Sequence, residues 1–301
     1  MKPQSANSIP GLTSVIIVAA DSGDDLAVCV ARVLASRVAI EVIVSDNDSA
    51  DGSLSALTGQ SSGDARLRIV HNAANLGFGT GCNRGAALAS GDALLFLNPD
   101  CHVEVDTISR LRQVAAHDSD IGLIGVNVVG TDGKTEPASR RRDPLLRRAL
   151  SSMTGLPRWT PLPGIDMPAP NASIAIEDVD AVSGAVMYLP RAAFERVGRF
   201  DEGYFLHCED LDLCRRVRDA GFRVVCANHV RVEHAKGTSS RSRPVFVARH
   251  KHRGMWRWFT KFDPAARNPL LRTLVWLGIW THFVVLLPAY LWRAGKAVRQ
   301  R

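Results

Sequence analysis

The sequence predicts an α/β fold, a mostly parallel sheet flanked by helices. Three observations predict it. Short apolar runs alternate with helix-forming segments in the order βαβαβαβαβ up to residue 129. The runs are continuous rather than alternating, as strands buried on both faces are. Several end in polar, acid-bearing turns, and the carboxyl edge of an open α/β sheet is where ligands bind.

Thr13–Ala20 (T-S-V-I-I-V-A-A) is a β-branched run suited to a central strand, and Asp21-Ser22-Gly23 turns the chain. Asp24–Ser36 follows as a helix with Leu26, Val30, Val33 and Leu34 on one face. Ile40–Ser45 is the second strand. It ends in Asp46–Ser53 (D-N-D-S-A-D-G-S), which reads either as an ordinary Asx-rich turn or as a ligand edge. Arg66–His71 is the third strand. The stretch Asn75–Asp100 then reads as a glycine-rich turn, a short helix through Ala86–Ala89 stopped by Gly91, and the strand Ala93–Leu97. Gly77, Gly79 and Gly81 permit close backbone approach or positive φ. Asn98-Pro99-Asp100 breaks the strand and leaves a carboxylate at its end. Val105–His117 is helical and Ile121–Val129 is a strand.

Between Gly130 and Asp178 seven prolines break any long element. The cluster Arg140, Arg141, Arg142, Arg147 and Arg148 reads as a solvated charged loop or as contact with an anionic acceptor or membrane. Val179–Leu189 is a strand containing Ser183-Gly184, and Arg191–Val197 a proline-started helix. Acids Glu209, Asp210 and Asp212 open a late helix, where they suit its dipole, and Gly221 ends it. Phe222–Ala227 and Val230–Glu233 are short strands, with His234 directly after the second.

The whole chain has 301 residues, a hydrophobic fraction of 46% and a formal net charge of +7, enough for one large α/β domain with an appendage and a preference for anionic partners. Six cysteines without a C-x-x-C pair argue for buried thiols in a reducing compartment and against zinc or disulfides. Met1–Pro10 is polar and has no apolar h-region, so no signal peptide is expected there.

The tail differs in kind. Val245–Phe262 interleaves Arg, Lys and His with Trp256, Trp258, Phe259 and Phe262. Thr273–Trp292 carries no Asp, Glu, Lys or Arg, and as a helix would be roughly 30 Å long, about a hydrocarbon core's thickness. A full crossing would export Arg293, Lys296, Arg299 and Arg301, against the positive-inside rule, and Pro288 interrupts the segment near its end. A monotopic or re-entrant anchor is therefore favoured over a span, with a buried helical subdomain as the remaining alternative.

Together the motifs S-V-I-I-V, S-D-N-D-S-A-D-G-S, N-L-G-F-G-T-G-C-N-R-G, L-L-F-L-N-P-D, F-D-E-G-Y-F-L-H-C-E-D-L-D-L-C-R-R and V-E-H-A-K-G-T-S resemble glycosyltransferase family 2. The similarity is greatest to its bacterial rhamnosyltransferase-like branch, which builds cell-surface polysaccharides. It covers Thr13 to about Ser240 and is specific only as a set. It implies the Rossmann-like GT-A fold over residues 1–240, with 130–178 as an irregular acceptor-side insertion, while 241–301 reads from its own composition as a membrane-associating tail.

The resemblance also implies roles. Asp46 resembles the acid that hydrogen-bonds the donor's pyrimidine, and Asn75 and Gly77 the backbone segment beside the nucleotide. Asp21, Asn83 and Asn98 join them as expected donor contacts. Asp100 resembles the last residue of the family's D-x-D metal motif, with Asn98 a neutral, weaker ligand in the first position. His234 resembles the late histidine completing the site for Mn2+ or Mg2+. Asp210 resembles the catalytic base, supported by Glu209, Asp212 and Gly184, and a neighbouring carboxylate would raise its pKa. Two departures stand out: Ala19-Ala20-Asp21 replaces the family's usual T-Y-N, and Ser45 replaces the usual acid before Asp46.

The implied reaction is inverting transfer of L-rhamnose from dTDP-L-rhamnose to a polyprenyl-diphosphate-linked saccharide at the cytoplasmic face of the bacterial inner membrane, the enzyme peripheral or monotopic. A UDP-sugar donor is the near alternative. An NAD(P)-dependent dehydrogenase is a distant one: Gly77–Gly81 imitates the dinucleotide fingerprint, but Cys82 or Arg84 stands where its third glycine belongs. A degenerate, non-catalytic membrane scaffold would not need Asp100, Asp210 and His234 together. Nucleic-acid binding through the tail lacks any recognised module.

Overall fold

The computed structural model describes residues 8–61, 63–154, 163–171, 173–235 and 243–299. Residues 1–7, Pro157, Pro161, residues 236–239 of the last motif with the 240/241 boundary, and Arg301 lie outside the described residues.

The chain begins β1 (Ile9–Ala19), α1 (Asp25–Leu34), β2 (Ile40–Asp46), α2 (Ser53–Ser61), β3 (Leu67–His71), α3 (Phe78–Leu88) and β4 (Gly91–Leu97). It continues with β5 (Cys101–His102), α4 (Thr107–His117), β6 (Ile121–Val129), β7 (Arg140–Arg141) and α5 (Leu146–Thr154). Then come β8 (Ile176–Asp178), β9 (Ala181–Val182), β10 (Val186–Pro190), α6 (Arg191–Arg196), α7 (Glu209–Asp219) and β11 (Arg223–His234). Two long helices, α8 (Pro244–Phe262) and α9 (Pro269–Arg299), close the chain.

The sheet is mixed. Its order is β3-β2-β1-β4-β10-β6-β11-β5, with β8 paired to β11. β1 runs parallel to both β2 and β4, and β6 parallel to β11, while β10 is antiparallel to β4 and β6. One face packs on α1, α2 and α4 through Leu26, Val30, Leu57, Ile108 and Leu111. The other packs on α3, α6, α7 and α8 through Cys82, Phe194, Leu213, Val217 and Trp258. All six cysteines are buried and free, as expected.

Four local differences from the sequence-based expectation have physical causes. The glycine run is helical from Phe78 rather than a turn, because α3 lies hard against β1: a Cβ on Gly81 or Gly85 would come within 2.8 Å of Val18 or 2.6 Å of Ile16. The expected strand Val179–Leu189 is broken at Ser183–Ala185, which frees the Gly184 N–H for Asp210. The two late strands are one, with an irregularity after Ala227, so that His234 ends β11. α9 continues through Pro288 rather than stopping near it.

The basic cluster is not a solvated loop. Arg140 pairs with Glu177, Arg141 with Asp210 and Arg148 with Asp180; only Arg147 of the five is exposed. α8 also belongs to the body: Trp258 and Phe259 are buried, and Arg257 and Lys261 bind Asp201 at 2.8 and 2.7 Å. Burial opposes the Asp201 charge, but these two cations more than offset it and hold the carboxyl down at about 2. A folded pKa below the unfolded one contributes stability above about pH 4, lost as the pH falls toward 2. Asp201→Asn is therefore expected to cost on the order of 1–2 kcal/mol at pH 7. In urea unfolding, the gap from wild type should narrow from pH 5 to pH 3.

Pro269–Trp292 is long and apolar enough to cross a membrane, and none of its most apolar window is buried. Leu270, Leu274, Val284, Val285 and Trp292 are exposed. That overturns the buried-subdomain alternative. α9 meets α8 at His252, whose Nε2 lies 3.0 Å from His282 Nδ1.

Candidate active site

The carboxyl ends of β1, β2, β4 and β11 and the start of α7 surround a cleft of about 530 Å³. It opens where β1 is flanked by β2 on one side and β4 on the other, the switch point of the sheet.

One wall carries the carboxylate and imidazole pair. β4 stops at Leu97, and the Asn98-Pro99-Asp100 turn, closed by Cys101 N–H to Asn98 O at 3.1 Å, feeds β5. β5 pairs antiparallel with the last residues of β11, Cys101 opposite His234. That register sets His234 Nε2 3.1 Å from Asp100 Oδ1. Its Nδ1 faces Glu136 Oε1 at 3.3 Å. Burial alone would lower the His234 pKa, but the two carboxylates outweigh it and raise it to about 9. Oxygen and imidazole-nitrogen donors at this spacing suit a divalent cation. Cys101 Sγ lies within 4.8 Å of both groups. Burial, then the Asp100 charge, pushes that thiol well up, and it donates to Ala185 O, so it remains a thiol rather than a thiolate ligand.

The opposite wall is the first turn of α7. Asp210 Oδ2 accepts from Arg141 Nη2 at 2.5 Å and from Gly184 N–H at 3.2 Å, and Oδ1 accepts from Leu211 N–H at 2.8 Å. A carboxylate has about four lone-pair sites, so with three bonds accepted one remains unused on a residue that lines the cleft. Gly184 fits because any Cβ there would meet Asp210 Cβ at 3.3 Å. Glu209 also lines the cleft but is buried, with Oε2 lacking a hydrogen-bond partner. Burial, then the Asp210 charge, drives its carboxyl well above the usual range.

The floor and rim come from Asp21, Asn47, Asn75, Gly77 and Asn98. Asp21 sits at φ 52°, its Oδ1 accepting from Ala50 N–H at 2.9 Å. Asn75 Oδ1 accepts from Gly77 N–H at 3.0 Å, and Asn47 Nδ2 donates to Gly77 O at 3.1 Å. Gly77 has φ 84° and packs on the backbone carbonyl of Phe205, leaving 2.3 Å for a Cβ. Phe78 N–H bonds that same carbonyl at 2.9 Å, which ties the donor-side turn to the segment leading into Glu209 and Asp210. Gly77→Val is therefore expected to displace both walls at once, costing about 2–4 kcal/mol of stability and most of the activity. Thermal unfolding and initial rates check it.

Three of the predicted site residues do not line the cleft. Asp46 is buried behind it, bonding Ser49 N–H at 3.1 Å and facing His71 Nδ1 at 3.3 Å. Asn83 points away, binding Phe200 O at 3.0 Å and Glu202 at 2.9 Å. Its place is structural: it holds the aromatic turn at Phe200 against α3. Asp212 is fully buried between Arg216 and Lys261. Conversely Glu136, Arg141, Asn47 and Arg243 line the cleft without having been singled out as site residues. Arg243 reaches from the start of α8 to Asp21 at 3.7 Å. Asn47 stood inside a quoted motif; Glu136 and Arg141 lie in the irregular region, where no periodicity marks a residue.

A family model described as "Glycosyl transferase family 2" matches residues 14–180, more than half of the chain. The chain is 30% identical over 268 residues to N-acetylglucosaminyl-diphospho-decaprenol L-rhamnosyltransferase of Mycobacterium tuberculosis, covering 79% of this chain and 85% of that protein. It is 29% identical over 191 residues to rhamnosyltransferase WbbL of Escherichia coli, covering 61% and 65%. Among solved structures it resembles the mannosyltransferase PcManGT from Pyrobaculum calidifontis in complex with GDP-Man and Mn2+. The TM-score there is 0.58 at 16% identity, over 99% of this chain and 77% of that one. It also resembles GalNAc-T7 with UDP, GalNAc and Mn2+, TM-score 0.61 at 16% identity, over 85% and 50%. At such identities the structures speak for the fold alone.

Proposed function

The chain belongs to glycosyl transferase family 2 and is a glycosyltransferase of GT-A fold; from that premise we propose that it transfers L-rhamnose from dTDP-L-rhamnose to a polyprenyl-diphosphate-linked saccharide, with inversion. The observation that carries this reading is the pairing of two walls across one cleft: Asp100 with His234 on one, Asp210 on the other. The relatives' names support the sugar and the lipid-linked acceptor.

Asp21, Asn47, Asn75, Gly77 and Asn98 would receive the nucleotide, with Asp46 shaping the loop behind them. Asp100 and His234 would hold a divalent cation, Mn2+ or Mg2+, with Glu136 orienting the imidazole from its other nitrogen. The two solved structures named above were determined with Mn2+. Such an ion would supply positive charge that stabilises the departing nucleoside diphosphate. Asp210 takes the proton from the acceptor hydroxyl as that oxygen attacks the anomeric carbon. Arg141 and Gly184 fix the carboxylate's rotation so that its open lone pair faces the acceptor. Glu209, kept neutral by burial, adds no second charge beside it. A single displacement inverts the anomeric centre.

Residues 1–240 form the catalytic unit in this reading, 130–178 the acceptor-side insertion, and the tail from 241 places the cleft at the cytoplasmic face of the membrane. α9 anchors the chain as a monotopic or re-entrant segment. The test is a donor panel offered with a polyprenyl-diphosphate saccharide, with and without EDTA, read by product mass. Transfer from dTDP-L-rhamnose, lost on metal removal, is expected. Transfer from a UDP-hexose in its place would sink the rhamnosyl assignment, and full activity after metal removal would sink the metal site.

A further inference from the structure

A second cavity, about 350 Å³, lies at the junction of α8 and α9 and shares no lining residue with the catalytic cleft. We propose that it is a headgroup site for anionic phospholipid, with the outward face of α5 seated in the same lipid surface. The inference rests on the membrane association proposed above.

Lys261, Arg267 and Arg272 line this cavity, against one carboxylate, Asp263. Asp263 is turned to the backbone: Oδ1 accepts from Ala265 N–H at 2.8 Å and Oδ2 from Leu146 N–H at 2.6 Å. Lys261 is held by Asp201 and Asp212. Among the described residues Arg267 and Arg272 form no ion pair, and the Arg272 guanidinium lies 5.8 Å from the centre of the Trp256 ring. Asn268 caps the Leu270 and Leu271 N–H groups, so the start of α9 is already satisfied. What remains is two unneutralised guanidiniums facing a cavity, a donor set suited to a phosphodiester.

The setting selects a lipid phosphate. The cavity ends where the unburied apolar helix begins, with Leu270, Leu274 and Leu277 exposed just past it. A cation-lined cavity at the edge of an apolar helix sits at headgroup depth. The Leu146 bond to Asp263 fixes the start of α5 beside it. α5 exposes Leu150 at 52% and Met153 at 78%, with Arg147 also exposed. Cations flanking an unpartnered apolar face are the composition of an element lying in a bilayer interface.

The full chain in neutral detergent is titrated with short-chain phosphatidylglycerol, phosphatidylcholine or inorganic phosphate, and retention is read by native mass spectrometry. Phosphatidylglycerol should bind roughly 25-fold more tightly than phosphatidylcholine, about fivefold for each arginine. The variant R267Q/R272Q should lose this preference with its melting temperature unchanged. Equal binding of the two lipids, a preference that survives the double substitution, or inorganic phosphate binding as tightly as phosphatidylglycerol would each overturn the site. L150S/M153S should weaken flotation with phosphatidylglycerol liposomes about tenfold; unchanged flotation would remove α5 from the surface. Failure of the wild type to float with any liposome would instead overturn the membrane reading on which the site rests.

Discussion

Asp210→Asn should lower the rate of sugar transfer by about 10³-fold while leaving donor binding close to that of wild type. The substitution is nearly isosteric. The amide oxygen can still accept from Arg141 and Gly184, so the guanidinium keeps a partner, and only the Leu211 N–H at the start of α7 loses its acceptor. What is lost is a group able to take up a proton. Donor affinity, measured separately by nucleotide titration, distinguishes lost chemistry from a lost fold. A variant that binds the donor normally but transfers at the wild-type rate would remove Asp210 from the reaction and turn attention to Glu209. Glu209 starts from a poorer position, because burial keeps its carboxyl protonated well above the usual range.

The second large effect is expected at the other wall. Asp100→Ala or His234→Ala should each reduce transfer by about 10²–10³-fold and weaken the response to added Mn2+ or Mg2+. The two groups stand 3.1 Å apart only because β5 pairs with the last residues of β11. Either substitution removes one of two donors. Excess metal should restore part of the lost rate in the histidine variant, where Asp100 and Glu136 remain, and less in the aspartate variant. Measuring rate against metal concentration for both variants checks this. Identical metal dependence in wild type and variants would place the ion elsewhere.

The strands were legible because a strand buried on both faces leaves a continuous apolar run, and Ile121–Val129 carries its own boundaries. Asp100, Asp210 and His234 were legible for a related reason. Each stands next to such a run or opens a helix, so its place at the sheet's edge follows from the pattern. Glycines were harder to read. The run after Gly77 has the composition of a turn, yet it folds as helix because β1 leaves no room for side chains on that face. Asp46 and Asn83 sit in the same motifs as cleft residues, but adjacency in a motif does not say which way a side chain turns. Glu136 could not be found from pattern at all, and Arg141 stood out only as one member of a basic cluster. They reach the cleft from a proline-broken segment, and only tertiary pairing, to His234 and to Asp210, identifies them.

The most direct test of two walls acting on one anomeric centre is the stereochemistry of the product. The full chain is incubated with dTDP-L-rhamnose and a polyprenyl-diphosphate saccharide, and the new linkage is assigned by NMR. A single displacement assisted by Asp210 should give a product whose anomeric configuration is opposite to that of the donor. Retention would require two displacements, or attack from the leaving-group side, and would contradict the assignment of Asp210 as the base.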